Sequence, residues 1–149
     1  MTNAKKRIKT DFLVIHCAAT TASMDIGKAD IDRWHRAKGW FGIGYHYVIR
    51  RDGTVETGRP EDTVGAHVLH HNSNTLGICL AGGLAADKKT PEENFTREQY
   101  DALANLLGEL KERYPDAKIR GHSDFPEHTT RACPVFDVDK FLIEIGIEN

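Results

Sequence analysis

Two apolar runs without a polar face, DFLVIHC at residues 11–17 and TLGICLAGG at residues 75–83, limit the fold more than any other feature. A strand bordering solvent alternates apolar and polar side chains, whereas a strand covered on both faces is apolar throughout. The two runs therefore predict central strands of a covered sheet, the second stopped by Gly82 and Gly83. YHYVIRRDGTVETG adds a hairpin, two β-rich stretches flanking Asp52-Gly53, where glycine accepts the positive φ of a tight turn. Ile31, Trp34 and His35 mark a helical stripe over about 28–38. Thr96-Arg-Glu-Gln99 fits a capping box ahead of Tyr100, Leu103, Leu107, Leu110 and Tyr114, and Pro115 forbids continuation. A short strand over 118–121 and a last helix over about 138–145, with Asp137 as N-cap, complete the series. The order predicts an α/β or α+β single domain: a central mixed β-sheet with helices packed on it.

At 149 residues a single domain buries roughly 68–70% of its unfolded surface, so the core needs no disulfides. Three irregularly spaced cysteines do not suggest a secreted disulfide framework. A net charge of −2 argues against a phosphate-backbone binder, and no apolar stretch approaches the roughly 20 residues of a membrane helix. Residues 1–10 are polar and basic, expected to form a mobile arm ahead of a domain at 11–149; with no apolar h-region behind it, the arm is not a secretory signal. The expectation is a chain made in a cytoplasm and monomeric, with neither nucleic acid nor membrane as a partner.

IHC, in the first run, places a histidine beside a cysteine. Successive side chains on a strand point to opposite faces, so His16 shares a face with Val14 and Phe12, and Cys17 with Ile15 and Leu13. One of the two is expected to work and the other to pack; free cysteine packs as a small hydrophobe, which favours the core for Cys17 and for Cys79. His16 then stands at a strand end, His122 just after another strand, and Cys133 in the loop beyond. Two imidazoles and a thiolate form a catalytic zinc set with a fourth position for water. Spacing alone leaves a structural role open as well, since a lone histidine at a strand end is more often a structural hydrogen-bonder than a ligand.

The segments IHCAAT, WHRAKGWFGIGYHYVIRRDGTVETGR, VGAH, NSNTLGICLAGG, NFTREQYDAL and RACPVFD run in the order found in the type-2 N-acetylmuramoyl-L-alanine amidases. The chain most resembles the compact lysozyme-amidases of tailed phages, whose fold is shared with animal peptidoglycan recognition proteins. The likeness runs from Asp11 to the final helix. It implies one zinc ion and a peptidoglycan substrate, cut between N-acetylmuramic acid and the L-alanine of the stem peptide. It also implies zinc ligation by His16, His122 and Cys133, a catalytic Tyr45 and a substrate-contacting His67. Action on the cell wall would follow release through a membrane pore. Where the phage enzymes carry lysine, this chain has Arg131. Arginine suits holding an oxyanion, but with a pKa above about 12 it is a poor proton donor. The loop between His122 and Cys133 is also longer here, which leaves His128 open as an added contact or an exposed residue. Some phage relatives bind their own RNA polymerase, so that partner stays open beside the simpler reading of AKKRIK as a solvated run. An intracellular recycling amidase and a non-catalytic wall-binding module are the rival functions; binders of this family lack the cysteine.

The other histidines have plainer expectations. His35 is a structural residue on its helix stripe. His67, His70 and His71 have helical metal spacing, but Gly65 and Asn72-Ser73-Asn74 favour a loop. Asp124 is either a partner of His122 or a solvent-facing carboxylate.

Overall fold

The first apolar run forms β1 (Phe12–Cys17) and the second β5 (Thr75–Leu80), and in the computed structural model they pair in parallel at the centre of the sheet. The structure describes residues 5–129 and 132–149. The five-stranded sheet has the order β4-β3-β5-β1-β7, with β3 (Tyr47–Ile49), β4 (Val55–Thr57) and β7 (Lys118–Gly121). Only the β3–β4 pair is antiparallel, so the sheet is mixed, as expected. The hairpin turns at residues 50–54, where Gly53 has φ +90° and Asp52 accepts the Thr54 amide. Two short strands absent from the sequence reading, β2 (Thr20–Thr21) and β6 (Gly83–Leu84), pair in parallel beyond the ends of β1 and β5.

Side-chain alternation divides the molecule into two layers. Leu13, Ile15 and Cys17 of β1 join Leu76, Ile78 and Leu80 of β5 in the main core, closed by α2 (Arg97–Arg113) and α3 (Val138–Ile145) through Leu103, Leu107, Leu110, Phe141 and Leu142. The opposite face carries Val14 and His16 of β1, with Val48 and Cys79 beside them, and α1 (Lys28–Ala37) covers part of it through Ile31 and Trp34. Cys17 and Cys79 are therefore core residues.

The capping box forms: Thr96 accepts the Gln99 amide at 3.0 Å, and Gln99 Oε1 accepts the Thr96 amide at 2.9 Å. Asp137 likewise accepts the Lys140 amide. The segment expected to be a mobile arm is engaged over residues 5–10. Lys6 bridges to Thr63, and Arg7, 8% exposed, donates through its guanidinium to the carbonyls of Glu61 and Lys9. A guanidinium carries five donors and satisfies several carbonyls at once, which ties a polar segment down without an apolar anchor.

Candidate active site

Three of the side chains singled out in the sequence converge. His16 lies near the C-terminal end of β1, His122 opens the 3-10 turn that follows β7, and Cys133 lies in the loop before α3. One donor atom from each lies within 4.8 Å of the others, the one such grouping among the described residues. The parallel pairing of β1 with β7 aligns the ends of both strands, so residues distant in sequence meet where the strands stop. Gly121 allows the third arm to close in: a Cβ there would lie 2.8 Å from Cδ of Pro134, and the Ser123 amide donates to the Cys133 carbonyl at 3.0 Å. Asp124, exposed to solvent, serves the turn backbone. Its Oδ2 accepts the Gly121 amide at 2.8 Å, which braces the turn presenting His122.

Zinc bonds of about 2.0–2.3 Å put tetrahedral donors roughly 3.3–3.6 Å apart. The cluster needs only a small contraction from its 4.8 Å limit to reach that size. Two imidazoles and one sulfur are donors that zinc accepts, so the residues present fit the ion. The Cys17 amide donates to Cys133 Sγ at 3.1 Å, an orientation that suits a sulfur carrying negative charge. Contact with the Cys17 thiol, together with burial, raises the Cys133 pKa well above the ordinary thiol value.

Tyr45 adjoins this cluster, its ring centroid 5.0 Å from that of His16. Strand alternation carried back from β3 would put Tyr45 on the face of Tyr47 and Ile49. Instead it packs in the second cluster with Val48, because β3 begins only at Tyr47 and residues 44–46 are not in the strand. Helix α1 holds this segment: Asp32 accepts the Ile43 amide and His35 Nδ1 accepts the Gly44 amide, each at 2.8 Å. Burial raises the Tyr45 pKa well above its ordinary value, with nearby cysteines adding to the effect. The hydroxyl is therefore a donor at any pH near neutral.

His67 lies beneath the cleft with both ring nitrogens engaged, Nδ1 2.9 Å from His16 Nε2 and Nε2 3.0 Å from Thr75 Oγ. His71 pairs with Glu127 at 2.8 Å, and His128 reaches the Leu69 carbonyl at 3.2 Å, so the longer loop docks on the 67–71 segment. His128 is 7% exposed and packs on the ring of His122, a role that sequence reading left open. The resulting cleft, about 520 Å³, is lined by His35, Trp40, Tyr45, His67, His122 and His128 among others. Trp40, beside His35 and under the Lys38 ammonium, was missed as a site residue; its only signal was an aromatic between two glycine-bounded turns. Arg131 lies outside the described residues.

Comparison with known proteins agrees with the fold. Residues 6–136 match the family model described as N-acetylmuramoyl-L-alanine amidase. An endolysin of Enterobacteria phage K11 is 47% identical over 137 residues, covering 92% of this chain and 88% of the relative. Among solved structures, the N-acetylmuramoyl-L-alanine amidase LysC from Clostridium intestinale superposes with a TM-score of 0.83 at 28% identity, over 99% of this chain and 92% of that one. Drosophila PGRP-LB shares the fold with a TM-score of 0.71 at 24% identity, over 89% of this chain and 79% of that one. By sequence and by fold alike, the chain belongs to the N-acetylmuramoyl-L-alanine amidase family.

Proposed function

We propose that the chain is a zinc-dependent endolysin that hydrolyses the amide between N-acetylmuramic acid and the L-alanine of the peptidoglycan stem peptide. The observation that carries this reading is the meeting of His16, His122 and Cys133 at a cleft that also contains Tyr45. When bound, zinc supplies Lewis-acid chemistry, polarising an amide carbonyl and acidifying water at neutral pH. The protein's own groups do the rest. Tyr45 keeps its proton on Oη and donates to the oxyanion that develops on the lactyl carbonyl oxygen. Arg131, two residues before Cys133 in sequence, takes from the family resemblance the role of adding a permanent positive charge to the same oxyanion. The Cys17 amide holds the Cys133 sulfur in place. Trp40 and His128 line the cleft beside these groups. Similarity to a phage endolysin supports synthesis inside an infected cell and action on its wall.

Mass spectrometry of purified sacculi digested by the chain tests the bond assignment. New free L-alanine amino groups without new reducing sugar ends are expected. New reducing ends, or no products with zinc present, would contradict the assignment.

A further inference from the structure

We infer that His67 is a positioning residue for the metal site: it accepts the Nε2 proton of His16 and so fixes that histidine in the tautomer whose Nδ1 lone pair serves a metal. This rests on the zinc reading of the His16–His122–Cys133 cluster, and it replaces the substrate contact expected for His67.

A chain of hydrogen bonds sets the direction. Thr75 Oγ lies 2.9 Å from the His71 carbonyl and 3.0 Å from His67 Nε2. A carbonyl only accepts, so the single hydroxyl proton of Thr75 goes to His71. The Thr75 oxygen then accepts from His67, which puts the His67 proton on Nε2 and its lone pair on Nδ1. That Nδ1 is 2.9 Å from His16 Nε2, a hydrogen bond only when His16 carries its proton there. A neutral imidazole has one proton, so Nδ1 of His16 presents the lone pair. Metal-bound histidines usually donate their other N–H to a carboxylate, carbonyl or water; here the acceptor is a second imidazole, itself aligned by a threonine and a carbonyl.

Packing holds the relay in place. The His67 ring lies against Gly77 of β5, where a Cβ would come within 2.6 Å of its Cγ, and against Gly65, where a Cβ would come within 2.8 Å of its Cδ2. Thr75 is fully buried. With both nitrogens committed inside this slot, His67 offers the cleft only ring carbon, which makes a polar contact with substrate the weaker assignment.

Zinc affinity of the full chain, measured by competition with a chromophoric chelator, tests the inference without reference to turnover. His67→Phe fills the slot but accepts no proton, and about ten- to hundred-fold weaker zinc binding is expected. His67→Asn, whose Oδ1 stands near the place of Nδ1, should recover most of the loss, and Thr75→Val should weaken binding in the same direction. Unchanged zinc affinity in a folded His67→Phe, with KM alone raised, would overturn the positioning role and restore the substrate contact. Should His67→Phe not fold, long-range nitrogen–proton correlation spectra of the zinc-loaded wild type decide: Nδ1 ligation of His16 with a proton on Nε2 is expected, and Nε2 ligation overturns the inference. A wild-type chain that takes up no zinc would instead defeat the metal reading itself, an outcome distinct from equal, tight binding by wild type and variant.

Discussion

At the scale of single residues, Tyr45 and Cys133 separate chemistry from stability. Tyr45→Phe keeps the ring packed between His16 and His35 and removes only the hydroxyl. Loss of one oxyanion donor costs about 3–4 kcal/mol, or a hundred- to a thousand-fold in kcat, with the melting temperature near that of wild type. Cys133→Ser should lose both zinc and turnover while near-UV circular dichroism stays native; a fully active Cys133→Ser would remove the sulfur from the mechanism. His46 and His35 carry a pH dependence of a different kind. Each accepts a backbone amide on Nδ1, from Gly77 at 3.0 Å and from Gly44 at 2.8 Å, so protonation breaks a buried bond. Burial pulls both pKa values down to about 4 from 6.5. The unfolded chain thus takes up these protons near pH 6.5 and the folded chain only near 4. The stabilisation is complete above 6.5 and is lost as pH falls through that window, up to about 3 kcal/mol for His46. Urea midpoints of the zinc-free protein should drop from pH 7.5 to 4.5, and a flat profile would show that these imidazoles are already charged in the fold.

At the scale of elements, the sequence was most legible where one residue type has one physical use. Thr96 and Gln99 had to cap α2, Pro115 had to lie beyond its end, and DFLVIHC had to lie in a sheet covered on both faces. Gln99 does more than its sequence position reveals: its Nε2, fully buried, donates to the Ile49 and Ala81 carbonyls at 3.2 and 2.7 Å and joins the helix to the ends of β3 and β5. Gln99→Leu removes both bonds from carbonyls that each keep one other partner, the Ala81 amide on Ile49 and Arg51 Nη1 on Ala81, and also removes the bond to the Thr96 amide; it should cost about 2 kcal/mol, against about 1 kcal/mol for Thr96→Ala at the cap. Chemical denaturation of the two variants measures the difference; equal losses would mean that Gln99 acts only as a cap. Less legible were elements made by tertiary contact. The β2–β6 pair has two residues a side, too few for any periodicity, and exists because β1 and β5 deliver the chains side by side. The face taken by Tyr45 does not follow from strand alternation, because the residue precedes β3 and α1 holds residues 43 and 44.

At the scale of the whole molecule, the parallel β1–β7 pair brings together three side chains that spacing alone left unconnected, and the loop docked by His71–Glu127 completes the cleft around them. The donor types could be read from the chain, but their convergence is a property of strand order, which no local pattern encodes. The segment at residues 5–10 shows the same limit, since Arg7 finds its carbonyls only once residues 59–64 are in place. The most direct test is a titration of the chelator-stripped chain with zinc, following release of L-alanine amino groups from sacculi. Activity should be absent without metal and rise to a sharp break at one equivalent per chain. Full turnover in the stripped protein, or no recovery on adding zinc, would contradict the metal-centred reading.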